Sequence, residues 1–143
     1  MGYRFLDDVS IADIVFEVDG KNLNELFGYA SDALVNTLIK NVKDIRLKTK
    51  KSFEVKAKSL DLLLVDYLNK LIFYKDAERL VFKEAIVTVE KSSGVWKALC
   101  DIRGEKLDPK RHEMSVDVKA ATMHMLKLEE NKSGWDARLV LDI

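Results

Sequence analysis

Over residues 11–18 apolar and polar positions alternate: Ala12, Ile14, Phe16 and Val18 fall on one face, Asp13, Val15 and Glu17 on the other. A period of two is that of a strand buried on one side. Asp19-Gly20 turns the chain, and Asn22 stands three residues before Glu25, a variant of the capping box. Leu23, Leu26, Phe27, Ala30, Leu34 and Leu38 then recur at helical spacing, which predicts an amphipathic helix over 23–40.

The next stretch, 45–56, sets Ile45, Leu47, Phe53 and Val55 among Lys43, Arg46, Lys48, Lys50, Lys51, Lys56 and Lys58, the pattern of a basic strand or strand pair. Ser59 is placed to cap a second helix, in which Leu60, Leu63, Leu64, Tyr67, Leu68, Leu71 and Tyr74 share a face and which ends near Lys75-Asp76. Beyond it, 80–89 and 95–103 flank Ser92-Ser93-Gly94, and 118–129 and 135–143 flank Asn131-Lys132-Ser133-Gly134. Both pairs read as antiparallel hairpins, with a loop from Asp108-Pro109 to about Asp117 between them. The order β-α-β-α-ββ-ββ predicts an α+β fold of two layers, a largely antiparallel sheet covered by two helices.

Composition narrows the functional classes. The 143 residues suit one domain, 1–143, with one core. Lysine plus arginine total 24, matched by 24 aspartates and glutamates, so no global field draws the molecule to nucleic acid or an anionic membrane. No apolar run reaches eighteen residues and the first nine lack a signal-peptide pattern, so the sequence predicts a protein that neither spans a membrane nor is exported. The single cysteine, Cys100, fits a reducing cytoplasm and sits in a hydrophobic strand, where a buried structural thiol is the expected role.

Common catalytic signatures are missing: there is no GxGxxG, Walker A loop, Cys-x-x-Cys, HExxH or GxSxG. A zinc pair formed by His112 and His124 lacks further ligands in the sequence. The strongest local signal is in the last strand, where Val140 and Asp142 face away from Leu139, Leu141 and Ile143, so that Asp142 stands beside the chain-terminal carboxylate. If the first strand lies near the last, Asp13 joins them in an all-oxygen cluster suited to magnesium, calcium or manganese. The competing reading makes Asp142 a solvated end-of-chain residue and Asp13 a surface strand residue.

Several short segments stand in order along the chain: Tyr3-Arg4-Phe5-Leu6-Asp7, Ala12-Asp13-Ile14, Gly20-Lys21-x-Leu23-x-Glu25-Leu26-Phe27 and Leu64-Val65-Asp66-Tyr67-Leu68-Asn69. Asp108-Pro109-x-x-His112-Glu113, Val118-Lys119-Ala120-x-Thr122-x-His124 and Leu139-Val140-Leu141-Asp142-Ile143 follow, so that they cover nearly the full chain. Together they resemble the archease family, small proteins that assist the RNA-splicing ligase RtcB. The resemblance implies a non-catalytic activator that promotes guanylylation of the ligase, its multiple turnover in tRNA ligation and broader nucleotide use, meeting RNA only through the ligase. It also implies a divalent-cation site (Ca, Mg or Mn) formed by Asp13, Asp142 and Ile143. Lys119, His124 and Asp66 are expected to contact the partner or its nucleotide, a lysine being able to neutralise phosphate as a mobile point charge.

Three positions depart from the family pattern. Members commonly carry an acidic residue and His-Thr before Ala-Asp-Ile, where this chain reads Asp7-Asp8-Val9-Ser10-Ile11; Tyr67 stands where tryptophan is frequent, and Lys70 replaces a usual acidic residue. Competing functions are a general chaperone or RNA-binding adaptor, using the lysines between Arg46 and Lys58 with a structural metal, and a metal-dependent hydrolase using the same acidic cluster.

Overall fold

The computed structural model describes residues 2–6 and 13–143; the Asp7 to Ile11 segment and Ala12, including the start of the strand expected at 11, lie outside the described residues. The elements are β1 (Gly2–Leu6), β2 (Asp13–Gly20), α1 (Leu23–Leu38), a 3-10 turn (Val42–Asp44), β3 (Thr49–Ala57), α2 (Leu60–Glu78), β4 (Leu80–Ser92), β5 (Val95–Lys106), β6 (Ala120–Asn131) and β7 (Gly134–Asp142). The α+β class with two helices and antiparallel pairing is as the sequence predicts. The strands form two sheets rather than one, ordered β1-β2-β7-β6 and β3-β5-β4. β1, which the alternation had not marked, pairs with β2 from Gly2↔Asp19 to Leu6↔Val15.

Local chemistry explains where the helices start and stop. At α1, Asn22 accepts the Glu25 amide (3.0 Å) and Glu25 in turn accepts the Lys21 amide (3.1 Å), so the capping box is closed one residue outside its usual position. Ser59 starts α2 through its backbone alone, accepting Leu63 N–H at 3.0 Å, and makes no side-chain cap bond. Arg79 ends α2 in the left-handed region (φ 52°), three residues beyond the stop read from the sequence.

Both helices and both sheets share one core. Phe16, Val18, Ala137, Leu139 and Leu141 enter it from the four-stranded sheet and Val87, Ala98, Cys100 and Ile102 from the three-stranded one. Fully burying a large apolar side chain such as Phe16 or Phe27 contributes roughly 1.5–3 kcal/mol. Tyr67 packs between Phe27 and Phe53 (ring centroids 5.6 and 6.3 Å), and its hydroxyl has no partner in bonding geometry. The nearby Ser31 hydroxyl donates to the Gly28 carbonyl instead. Cys100 is the buried structural thiol expected: burial, with the Asp101 charge adding, pushes it up to about 12.

Candidate functional site

β2 and β7 pair so that Asp13 lies directly opposite Asp142, and β6 places Ala120 on the other side of Asp142. Because side chains alternate along a strand, Asp13 and Asp142 share the face turned away from Phe16 and Leu141. Next to them on that face Val15 pairs with Val140, both 1% exposed, and then Glu17 with Arg138. Like charges directly opposite across a ladder are destabilising, at roughly 0.2–1 kcal/mol. Among the described residues, neither carboxylate has a side-chain hydrogen bond or ion pair to offset this, whereas Glu17 is bonded by Arg4 at 3.0 Å.

Of the other expected residues, Lys119 is the one bonded to the pair, through its backbone. Lys119 is exposed and its backbone N–H donates to the Asp142 carbonyl at 2.8 Å. Ile143 follows Asp142, half-buried against the core. His124 is exposed and lies where the β6–β7 register breaks, between Thr122 and Lys127. Asp66 sits half-buried on α2, where burial raises its carboxyl above the ordinary value.

Sequence reasoning gave no role to Asn69 or Lys75, which the structure ties to this site. The Asn69 amide donates to the Ala121 carbonyl (3.0 Å) and accepts the Ala121 N–H (2.8 Å). Lys75, 7% exposed, donates to Asp117 (2.7 Å) and to the Val118 carbonyl (2.9 Å). Asn69 was visible inside a matched motif, but its partner is 52 positions away, so spacing carried no signal of the contact.

The Asp108-Pro109-x-x-His112-Glu113 segment is structural. Asp108 N–H donates to His112 Nδ1 (2.9 Å), so Nε2 carries the proton and donates to Glu105 (2.9 Å). Both ring nitrogens are committed, which rules His112 out as half of a zinc pair with His124. Burial alone would raise Glu105; donation from the Arg46 amide, His112 and Arg111 outweighs it and lowers the carboxyl to about 2. Lys70, in place of the usual acidic residue, lies over the Phe73 and Tyr74 rings at 5.1 and 5.3 Å.

Three lysines of the basic stretch are ion-paired. Lys51 pairs with Glu78 (2.8 Å), Lys56 with Glu54 (3.4 Å) and Lys50 with Asp101 (3.9 Å). No described helix is long and apolar enough to cross a membrane.

Oxygen-only ligands select hard cations, and Asp13 with Asp142 supplies two carboxylates of the roughly six to eight oxygens that calcium takes. Among the described residues no group of three or more histidine, cysteine, aspartate or glutamate side chains converges on one point. Asp13 and Asp142 are the described side chains that could contribute to the expected oxygen site, and two carboxylates alone do not complete a calcium shell.

Fold and site together define a small α+β protein with a paired-carboxylate tip. Residues 3–143 match the archease protein family (MTH1598/TM1083). The chain is 38% identical over 133 residues to protein archease of Pyrococcus abyssi, covering 92% of this chain and 93% of that one. It is 34% identical to protein archease of Archaeoglobus fulgidus over 143 residues, 100% of each. The chain belongs to the archease family. In fold it is similar to protein 1598 of Methanobacterium thermoautotrophicum (TM-score 0.83, 24% identity, 99% of each chain). A more distant fold likeness is to a Thermotoga maritima archease described as a possible chaperone (TM-score 0.58, 20% identity, 94% of this chain and 93% of that one).

Proposed function

We propose that this protein is a non-catalytic activator of an RtcB-type RNA ligase, promoting transfer of GMP to the ligase histidine and hence multiple turnover in tRNA ligation. The observation that carries the reading is the cross-strand pair Asp13–Asp142, two half-buried carboxylates with no cationic side-chain partner among the described residues. Such opposition is destabilising unless a cation offsets it, which supports a cation-holding role.

Asp13 and Asp142 would hold a divalent cation, with Ile143 supplying a further oxygen. A bound cation would neutralise phosphate charge as the nucleotide is positioned. The chain's own residues present this tip: β2 and β7 fix the two carboxylates, and Lys119, tied by its backbone to Asp142, offers an ammonium to a phosphate of the ligase's nucleotide. The contribution is positioning and electrostatics, with no covalent step on this protein. An RNA-adaptor role is less supported, because three of the lysines it would use, Lys50, Lys51 and Lys56, are paired with Asp101, Glu78 and Glu54.

The test is a guanylylation assay of purified ligase with limiting amounts of wild type, Asp13→Ala, Asp142→Ala and Lys119→Ala. Wild type should support many turnovers and the aspartate variants should not. Normal stimulation by both aspartate variants would refute the reading.

A further inference from the structure

The two halves of β6 are out of phase with each other. On the hairpin side Asn131 faces Gly134 and Lys127 faces Arg138; on the far side Thr122 faces Val140 and Ala120 faces Asp142. From 122 to 127 β6 uses five steps where β7 uses two between 140 and 138, so three extra residues are absorbed there. Met125 takes a left-handed backbone (φ 55°) within this bulge, and Met123, His124 and Met125 are exposed.

A three-residue offset is odd, and side chains alternate with a period of two, so it also exchanges the faces of the strand. In the hairpin half Leu128 packs on the core, while in the far half Ala121 does. Continued in the hairpin's phase, the ladder would set Met123 opposite Asp142 and carry Lys119 three residues, about 10 Å, away from it. The hairpin turn therefore does not set the register on which the Asp142–Lys119 juxtaposition depends.

What does hold it is visible at the open edge. β6 is the last strand of its sheet, so its outer peptide groups have no strand partner. The Asn69 amide bonds both the N–H and the carbonyl of Ala121, as a peptide of a neighbouring strand would. Lys75, almost two turns further along α2, bonds the Val118 carbonyl and the Asp117 side chain. The apolar term at this end is small, since Ala121 buries only a methyl group; Val118 is the one large inward side chain just before the strand.

We infer that Asn69, supported by Lys75, is a positioning residue that clamps the first half of β6 out of phase with its hairpin and so seats Lys119 beside the Asp13–Asp142 pair. Its link to cation binding rests on the function proposed above; the clamp itself does not.

The experiment compares wild type with Asn69→Leu, Asn69→Asp and Lys75→Met, reading amide hydrogen exchange and Mn²⁺ affinity on the full chain. In Asn69→Leu the amides of both Ala121 and Lys119 should exchange at least about tenfold faster while α2 core amides such as Leu64 and Leu68 stay protected. Asp13 and Asp142 are held by β2 and β7 and Lys119 is itself a cation, so Mn²⁺ affinity should hold or rise as Lys119 moves away. Asn69→Asp, which keeps the acceptor for Ala121 N–H, should retain part of the Lys119 protection. A merely local role would free Ala121 but leave Lys119 exchange unchanged, and that result overturns the inference. If wild type fails to bind Mn²⁺, the proposed function falls while Lys119 exchange still decides the clamp. Should Asn69→Leu not fold, Lys75→Met decides the same point: faster Lys119 exchange upholds the clamp, unchanged exchange overturns it.

Discussion

Glu105 and His112 are joined by a 2.9 Å hydrogen bond in which the imidazole is the donor, its other nitrogen being held by the Asp108 amide. This pair, with Arg111 and the Arg46 amide, closes the loop beneath β5. Glu105 is lowered to about 2 in the folded protein. A carboxyl depressed on folding contributes stability that is complete above its unfolded value, near 4.3, and is lost as pH falls toward the folded value. Stability should therefore decline between about pH 4.3 and pH 2 more steeply in wild type than in Glu105→Gln, as read from urea midpoints across that window. At neutral pH Glu105→Gln should cost about 1–3 kcal/mol. Parallel pH profiles for the two proteins would contradict the assignment.

Removal of divalent cations gives a second test. In chelator, Asp142→Asn relieves a cross-strand like-charge contact and should be as stable as wild type or up to about 1 kcal/mol more so. With calcium at a hundredfold its Kd, wild type should gain about 2.7 kcal/mol and the variant far less. Equal gains in thermal melts of both proteins would place cation binding elsewhere.

Gly104 marks a place where two backbones nearly touch. A Cβ there would stand 2.5 Å from Phe82 Cα and still closer to the Val81 carbonyl. Neither is a movable side-chain end, so Gly104→Ala should destabilise by about 1–3 kcal/mol or more, through displacement of β4 at its register shift between Phe82 and Glu84. A melting temperature within a degree or so of wild type would be inconsistent with this packing.

Cys100, 3% exposed and raised to about 12, should resist a thiol-specific reagent at pH 8 in the native state and react fully in denaturant. Rapid native labelling would mean that the three-stranded sheet opens readily at this point.

Much of the fold was legible in local pattern. The alternation of Ile14, Phe16 and Val18 and the helical recurrence of Leu26, Phe27, Ala30 and Leu34 are short-range records of a buried face, and all these residues enter or line the core. β1 was not legible, because Gly2–Leu6 is short and its Phe5 remains 42% exposed at a sheet edge. The division into two sheets was equally hidden, since it depends on β7 choosing β2 as its second neighbour and β3 choosing β5.

For the candidate site, the sequence by itself determined which groups are available: Asp13 and Asp142 on the outward positions of their strands, and Lys119 just ahead of β6. Alternation fixes a side chain's face from two or three neighbours, so no long-range information is needed. Only the tertiary structure decided that these positions meet, through the β2–β7 pairing and the Asn69 bonds to Ala121. Those contacts join residues far apart in the chain, and a hydrogen bond across such a separation leaves no period or spacing from which it could be read.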